Sequence, residues 1–406
     1  MRILIHTMYF LPEFGSAPIL MNELATHLTQ TGRDVEIVTT IPRPPQNKGY
    51  KGRIFIRETR NGYRVKRFLT NFTVHHIGRL IAWSIFTVSS WINLLTVRRD
   101  DIVFLRLPPL QLGVTGMIAR RLLGARVLLN LQDIHPDLSI ESGLLKNPFA
   151  VKIAKAFEKW IYDNTEEILV ISEGFKKNLE AKGVPSSKIV VIPNWVDTDF
   201  LRPLPKDNPV SRKYGLTEKF VVMYSGTISI SSSLTLERVL EAADLLKDDS
   251  EIMIVIVGEG LKKNDLVEKT ERLGLKNAVF LPFQPYQDLP NLLASADVLV
   301  VPLDKEKSLL SVPSKLYNFM ATGRPILSLS HSDSEVFKII EDTKCGVNAS
   351  PGDPKAIDAA IRGMKESREI REAMGRSGRE YAVANFSRHN VMELYDRLIS
   401  RTSRSI

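Results

Sequence analysis

Along the first half of the chain, short strand-like apolar runs alternate with segments of helical spacing. Arg2-Ile-Leu-Ile-His-Thr reads as a buried strand, and Leu20, Leu24 and Leu28 then recur at helical spacing. Gly32 stops that helix before a second strand, Val35-Glu-Ile-Val-Thr-Thr. Ile102-Val-Phe-Leu, Arg126-Val-Leu-Leu-Asn-Leu and Glu167-Ile-Leu-Val-Ile continue the series. A second cycle follows Leu201-Arg-Pro-Leu-Pro-Lys-Asp-Asn-Pro, whose three prolines predict a linker. Its strands are Phe220-Val-Val-Met-Tyr-Ser, Ile252-Met-Ile-Val-Ile-Val, Ala278-Val-Phe-Leu, Val298-Leu-Val-Val and Pro325-Ile-Leu-Ser-Leu. Helices are predicted over 234–246, 315–321 and 388–400. Strands separated by helices require crossover connections, so the pattern predicts an α/β protein of two doubly wound parallel sheets. Such sheets bind ligands at the C-terminal edges of their strands, which places the expected site in a cleft between the two domains.

A length of 406 residues suits two domains, and 44% hydrophobic with 25% charged residues excludes a disordered or fibrous chain. The single cysteine, Cys345, excludes an internal disulfide framework and a four-cysteine zinc site, which favours a reducing compartment. The N-terminus lacks the apolar core of a secretory signal. Charge changes the picture more. Residues 1–200 carry 26 Lys/Arg against 18 Asp/Glu, and residues 201–406 carry 29 against 28. Within the first half, 43–99 holds 12 basic residues and one acidic residue, Glu58. That cluster reads either as a solvated face or as a contact for an anionic membrane or acidic substrate. Inside it, 80–97 contains no charge, but six of its residues are Ser, Thr or Asn. With Arg79, Arg98 and Arg99 around it and Trp83 and Trp91 within it, this segment predicts an interfacial helix rather than a spanning one.

Several chemistries fail at the motif level. No Gly-x-Gly-x-x-Gly turn follows the first strand, and the chain has no Gly-Lys dipeptide, no His-Glu-x-x-His and no Gly-x-Ser-x-Gly. Gly258-Glu-Gly260 alone marks only a turn. Three strand-end features remain. Pro12-Glu-Phe-Gly15-Ser16 and Tyr224-Ser-Gly226-Thr227 each put a glycine between a strand and a helix, where backbone N–H groups can approach an anion. The stretch from Pro302 to Pro325 contains Lys305, Lys307, Ser311, Val312, Pro313, Ser314, Lys315, Asn318 and Gly323. Pro313 and Ser314 fit a helix start and Gly323 its stop, so a positive dipole end lies beside up to three lysines. That combination suits a phosphate leaving group.

These features, in their order and spacing, resemble family 4 glycosyltransferases of the GT-B fold, in the subgroup that assembles polysaccharides such as O-antigen and exopolysaccharide. The matching stretches are Pro-Glu-x-x-Gly with Leu24-Ala-x-x-Leu28 and Gly32-x-x-Val35; Gln132-Asp133-Ile-His135-Pro136-Asp137; Val170-Ile-Ser-Glu173; Ile192-Pro-Asn194-Trp-Val-Asp197; and Pro313-Ser-Lys-Leu with Met320-Ala-x-Gly-x-Pro. The resemblance implies an N-terminal acceptor domain over 1–199, a C-terminal donor domain over 200–384, and a last helix, 385–406, returning to the first. It also implies retaining transfer of a hexose from a nucleotide-sugar, with UDP-glucose as first candidate, to a hydroxyl acceptor. No obligatory metal is expected, and the sequence shows no compact carboxylate or histidine constellation for one.

Phe283, Gln284, Tyr286 and Leu289 are then expected at the base and Asn318 at the ribose. Gly15, Gly226, Thr227, Ser314 and Lys315 are expected at the diphosphate, and Ser16, Gly258, Ser311, Val312 and Pro313 are further expected donor-binding residues. Asp133, His135, Lys307 and Lys315 form the expected catalytic group. Two positions depart from the family pattern: Leu310 and Asn318 stand where many members carry glutamates eight positions apart. Asn318 retains an accepting carbonyl and a donating amide. The basic residue common after the Gly226 loop is also missing, which leaves Lys305, Lys307 or Lys315 to supply its charge. On the acceptor side, Asp133 orients the acceptor or the transferred sugar, and His135 relays a proton or binds a sugar hydroxyl. Expected partners are a glycan or lipid-linked glycan acceptor and an anionic membrane at the cytoplasmic face, with no nucleic acid. A nucleotide-sugar 2-epimerase or a non-catalytic nucleotide-binding relative are the alternatives on the same fold.

Overall fold

The computed structural model describes residues 1–13, 15–44, 46–70, 76–141, 143–303 and 312–404. The chain divides into two compact units, Met1–Asn194 with Val391–Ile406, and Trp195–Asn390. The three-proline stretch from Leu201 to Pro209 is therefore no linker but part of the second unit. Lys206 pairs with Asp297 at 2.5 Å, and Asn208 donates to the carbonyl of Asn291 at 3.1 Å while its side-chain oxygen accepts from the Val210 and Ser211 N–H groups.

The first unit runs β1 (Arg2–His6), α1 (Ser16–Gln30), β2 (Asp34–Thr40), β3 (Phe55–Arg60), β4 (Tyr63–Phe68), α2 (His76–Leu94), β5 (Ile102–Leu107), α3 (Leu112–Leu123), β6 (Arg126–Leu131), α4 (Asp137–Glu141), α5 (Pro148–Asp163), β7 (Glu167–Val170), α6 (Glu173–Ala181) and β8 (Ile189–Val191). Its eight-stranded sheet has the order β3-β4-β2-β1-β5-β6-β7-β8. All neighbours are parallel except the β3–β4 hairpin. That hairpin occupies the basic segment and was not expected from it. Its turn is Asn61-Gly62, both at positive φ (46° and 86°), the conformation that Asn-Gly favours between antiparallel strands.

The basic segment is also less free than its charge sum suggests. Arg67 is fully buried, bonding Glu58 and the carbonyls of Leu11 and Thr40. Arg43 pairs with Glu13, and Arg64 and Lys66 both pair with buried Glu36. α2 lies half in the core. Ala82, Trp83, Phe86, Ser90 and Asn93 are buried, whereas Ile81, Val88, Trp91 and Ile92 are exposed. Trp83, expected at a membrane, faces inward instead and meets the ring of His135 edge-on at 5.7 Å. Among the described residues no helix is long and apolar enough to cross a membrane.

The second unit runs α7 (Pro209–Lys213), β9 (Phe220–Ser225), α8 (Ile230–Leu245), β10 (Ile252–Val257), α9 (Lys263–Arg272), β11 (Ala278–Leu281), α10 (Leu289–Ala294), β12 (Val298–Pro302), α11 (Ser314–Ala321), β13 (Ile326–Leu329), α12 (Glu335–Thr343), β14 (Gly346–Ala349), α13 (Pro354–Glu366) and α14 (Arg368–Phe386). Its six strands are all parallel, in the order β11-β10-β9-β12-β13-β14. Continuous apolar runs such as Ile252-Met-Ile-Val-Ile-Val supply both faces of this sheet, as a parallel sheet covered by helices requires. One face packs on α8 and α13, the other on α11 and α14. The last helix, α15 (Arg388–Arg404), belongs to the first unit from Val391 onward. There Asp396 meets His27 at 2.8 Å and Arg33 at 2.7 Å, and Tyr395 packs on Phe104.

His6 carries a testable consequence. It ends β1 between Val38 and Leu105, fully buried, and among the described residues neither ring nitrogen has a hydrogen-bond partner. Burial, helped by the charge of Lys66 and opposed by Glu36, pushes its pKa down to about 3. A histidine depressed in the folded state leaves stability intact above its unfolded pKa of about 6.5 and removes it as pH falls below that value. At pH 5 the loss from this group is about 2 kcal/mol. Urea unfolding of the first unit at pH 8 and pH 5 should show that loss, and His6→Leu should remove most of it. An equal pH dependence in both proteins would exclude His6 as its source.

Candidate functional site

In the second unit the site is built where β9 and β10 end. Beyond their paired ends, Ser225 and Val257, the two loops stay in contact. Gly226 N–H donates to the Val257 carbonyl at 3.0 Å, and Ile228 N–H donates to that of Glu259 at 2.9 Å. A Cβ on Gly258 would lie 2.0 Å from the Gly226 oxygen, and one on Gly260 would lie 2.1 Å from that of Ile228. Only glycine permits this approach. The Gly258-Glu-Gly260 pair, which alone marked only a turn, thus brings Gly258 against Gly226 and Gly260 against Ile228.

Lys315 enters the same place from α11. Its Nζ donates to the Tyr224 hydroxyl at 2.9 Å, sits 4.1 Å over the Tyr224 ring, and lies 2.9 Å from the position a Cβ on Gly226 would take. Tyr224 in turn donates to the Thr227 carbonyl at 2.7 Å. Desolvation alone lowers the Lys315 pKa to about 7, and among the described residues no carboxylate pairs with it. Burial likewise pushes the Tyr224 phenol up to about 12, so it stays protonated.

The two helix starts differ. At α8, Ser229 and Ser232 form a reciprocal capping box that engages the helix's own N–H groups. At α11, Pro313 holds the cap position and, among the described residues, no side chain caps the helix. Its first N–H groups and dipole therefore remain directed outward beside Lys315. Ser314, Lys315 and Asn318 lie on the partly exposed face of α11, while Leu316, Tyr317, Phe319 and Met320 are buried.

The remaining expectations in this unit are placed unevenly. Phe283 and Tyr286 are exposed, and Tyr286 already stacks on Phe200 at 4.7 Å. Gln284 accepts from the Tyr214 hydroxyl at 3.2 Å and donates to the Pro282 carbonyl at 2.9 Å. Val312 is buried in the core, and Leu289 is partly buried against it. Lys305, Lys307, Leu310 and Ser311 lie outside the described residues.

In the first unit Gly15 is the N-cap of α1 at φ 126°, again without a side-chain cap, and Gly15 and Ser16 are exposed. Asp133 and His135 follow β6, both partly exposed. His135 Nδ1 lies 3.0 Å from the Ser139 hydroxyl. Beneath them is a polar group that sequence reasoning missed. Asn194 donates to Gln132 at 2.9 Å, and Gln132 donates to buried Asn130 at 2.8 Å. Arg106 is the register partner of Asn130. Burial lowers the Arg106 pKa to about 10 against the opposing charge of Asp133. An arginine inside an otherwise apolar strand, Ile102–Leu107, was the visible signal for it. Among the described residues no group of three or more His, Cys, Asp or Glu side chains is placed to hold a metal.

Comparison with known proteins agrees with this architecture. The family described as glycosyl transferase 4-like domain matches residues 17–195, and glycosyl transferases group 1 matches residues 210–381. An Escherichia coli (strain K12) protein named "Putative colanic acid biosynthesis glycosyl transferase WcaI" is 27% identical, over 97% of this chain and 98% of its own. Among solved structures, sucrose-phosphate synthase from Thermosynechococcus elongatus superposes with a TM-score of 0.75 at 16% identity, covering 98% of this chain and 99% of its own. Anabaena HepE in complex with UDP superposes with a TM-score of 0.74 at 16% identity, covering 99% and 100%. With the two family matches spanning most of both units and the fold shared along the whole chain, the protein belongs to the family 4 glycosyltransferases of the GT-B fold.

Proposed function

We propose that the second unit binds the diphosphate of a nucleotide-sugar, with UDP-glucose as first candidate, and that the enzyme transfers the hexose with retention to a hydroxyl of a growing, lipid-linked glycan in surface-polysaccharide synthesis. The observation that carries this reading is Lys315: a desolvated ammonium against Gly226 and Tyr224 with no described counter-ion. A diphosphate supplies the missing charge, and the uncapped start of α11 supplies N–H groups to the same anion. The name of the Escherichia coli relative supports a polysaccharide pathway, and the UDP and UDP-glucose complexes of HepE support the donor.

In the proposed step the bond from the anomeric carbon to the diphosphate oxygen breaks. The acceptor oxygen bonds to the same face of that carbon, and its proton passes to the departing phosphate oxygen. Lys315 stabilises the negative charge that develops on the leaving group, so no metal is required. Asp133 orients the acceptor or the transferred sugar. His135, held by Ser139 and by Trp83, relays a proton or binds a sugar hydroxyl. Docking at the cytoplasmic face of the membrane uses the exposed stripe Ile81, Val88, Trp91, Ile92 and Leu95 of α2 and its C-terminal flank, with exposed Arg98 and Arg99 beside it.

A thermal-shift panel of UDP, GDP, ADP and their sugar conjugates tests the donor. At 100 times its dissociation constant, the right nucleotide adds about 2.7 kcal/mol of stability. UDP should produce that shift, and Lys315→Met should abolish it and lower turnover about 100-fold or more. A full UDP response in the variant would remove Lys315 from the site. The ammonium is charged below its pKa near 7 and neutral above it, so UDP affinity should fall by up to about tenfold per pH unit above 7. Isothermal titration between pH 6 and pH 9 reads this directly. Docking through α2 predicts that Val88→Ser/Ile92→Ser weakens co-sedimentation with phosphatidylglycerol vesicles at low salt, and unchanged binding would exclude that face.

A further inference from the structure

We infer that α5 is a second membrane-contact helix of the first unit, seating Phe149, Ile153, Ala156 and Trp160 in an anionic bilayer. At ~100° per residue these four positions fall within an arc of about 60° on one side of the helix. Phe149 is 72% exposed, Ile153 55% and Trp160 38%, and Ala156 is exposed between them. The opposite side is the packed one. Glu158, Ile161 and Tyr162 are buried there, and Ile161 meets Gly113 of α3. An ordinary surface helix shows solvent a polar face; α5 shows an apolar stripe.

The chemistry of the occupant follows from the charge beside the stripe. Lys152, Lys155 and Lys159 are exposed along one flank. The exposed carboxylate on this side is Asp163, which pairs with Lys159 at 3.2 Å. Glu158 points inward and is held by Lys182 at 2.6 Å. Apolar anchors with an aromatic residue and a lysine flank match the acyl–headgroup boundary of an anionic leaflet. A second copy of the same chain would meet like charge along that flank.

The fold places this helix with others of the same character. α3 lies between α2 and α5: Ser90 of α2 contacts Thr115 of α3 at 2.9 Å, and α3 meets α5 through Gly113. The three helices are therefore neighbours, with α3 in the middle. At the end of α3, Arg121 bonds Asn164 and the next residue, Leu122, is 77% exposed. The inference extends the docking proposed for α2, but it stands on residues of α5 alone.

The test labels two exposed positions separately with an environment-sensitive fluorophore, through Ala156→Cys on α5 and Ser84→Cys on α2; the native Cys345 is buried. Each full-length protein is mixed with phosphatidylglycerol–phosphatidylcholine vesicles at low salt. The expected result is a blue shift at position 156. Lys152→Glu/Lys155→Glu/Lys159→Glu should abolish it and weaken co-sedimentation about tenfold or more. A shift at position 84 with none at 156 would overturn the inference and leave docking through α2 standing. A shift at 156 with none at 84 would support α5 and remove α2. A shift at 156 without vesicles, accompanied by a dimer in sedimentation velocity, would overturn the inference in favour of a second copy. No shift at either position would overturn both.

Discussion

The candidate site of the second unit rests on one unbalanced charge. Lys315 is lifted from water onto the ring of Tyr224 and is given a hydroxyl but, among the described residues, no carboxylate. Desolvating an ammonium is costly unless an anion compensates it, and this is why the pKa is lowered. The surrounding features keep the vacancy open. Glycine at 258 and 260 lets the β9 and β10 loops touch, Gly226 leaves room for the ammonium, and Pro313 starts α11 without a capping side chain. A bulkier residue at Gly226 or an acid near Lys315 would satisfy or displace the cation and remove its demand for a ligand.

The parallel core was legible because a strand buried on both faces must be apolar along its whole length. Ile252–Val257, Ile102–Leu105 and their neighbours therefore announce themselves without help from tertiary structure. β3 and β4 were not legible in the same way. Phe55-Ile-Arg-Glu-Thr-Arg and Tyr63-Arg-Val-Lys-Arg-Phe are half charged, and summing that charge hid their two-residue alternation. Asn61-Gly62 was the overlooked signal. The three-proline stretch failed for a different reason. Proline fixes local conformation and says nothing about whether the extended chain then packs, as it does here against Asp297 and Asn291.

Charge counting had a similar limit in the first unit. A net surplus of basic residues describes a surface only if their partners lie within the counted window. Glu13 and Glu36 lie outside it and neutralise Arg43, Arg64 and Lys66, while Arg67 is spent on main-chain carbonyls and Glu58. The apolar side of α2 was better foreseen, though only half of it faces outward. Trp83 and Trp91 are eight residues apart, about two turns, and their sequence spacing does not decide which is exposed; the packing against His135 does.

At the site itself, residue types that sequence matching favoured were placed where backbone geometry decides their use. Asp133 and His135 were legible as motif positions, but the reason for their setting was not. The amide chain from Asn194 through Gln132 to Asn130 joins two stretches 62 residues apart, and Arg106 comes from a third strand. Among the described residues, neither Asn130 Nδ2 nor Arg106 Nε, both buried donors, has a protein acceptor. Burying such donors costs about 1–3 kcal/mol each unless an acceptor arrives, so this end of the sheet is biased toward oxygen-rich partners. The two units thus reach a similar electrostatic condition by different means: a desolvated ammonium at the end of one sheet, and unsatisfied amide and guanidinium donors at the end of the other. Each is destabilised locally as built and relieved by an acceptor oxygen, which is the polarity expected for sites that take phosphates and sugars.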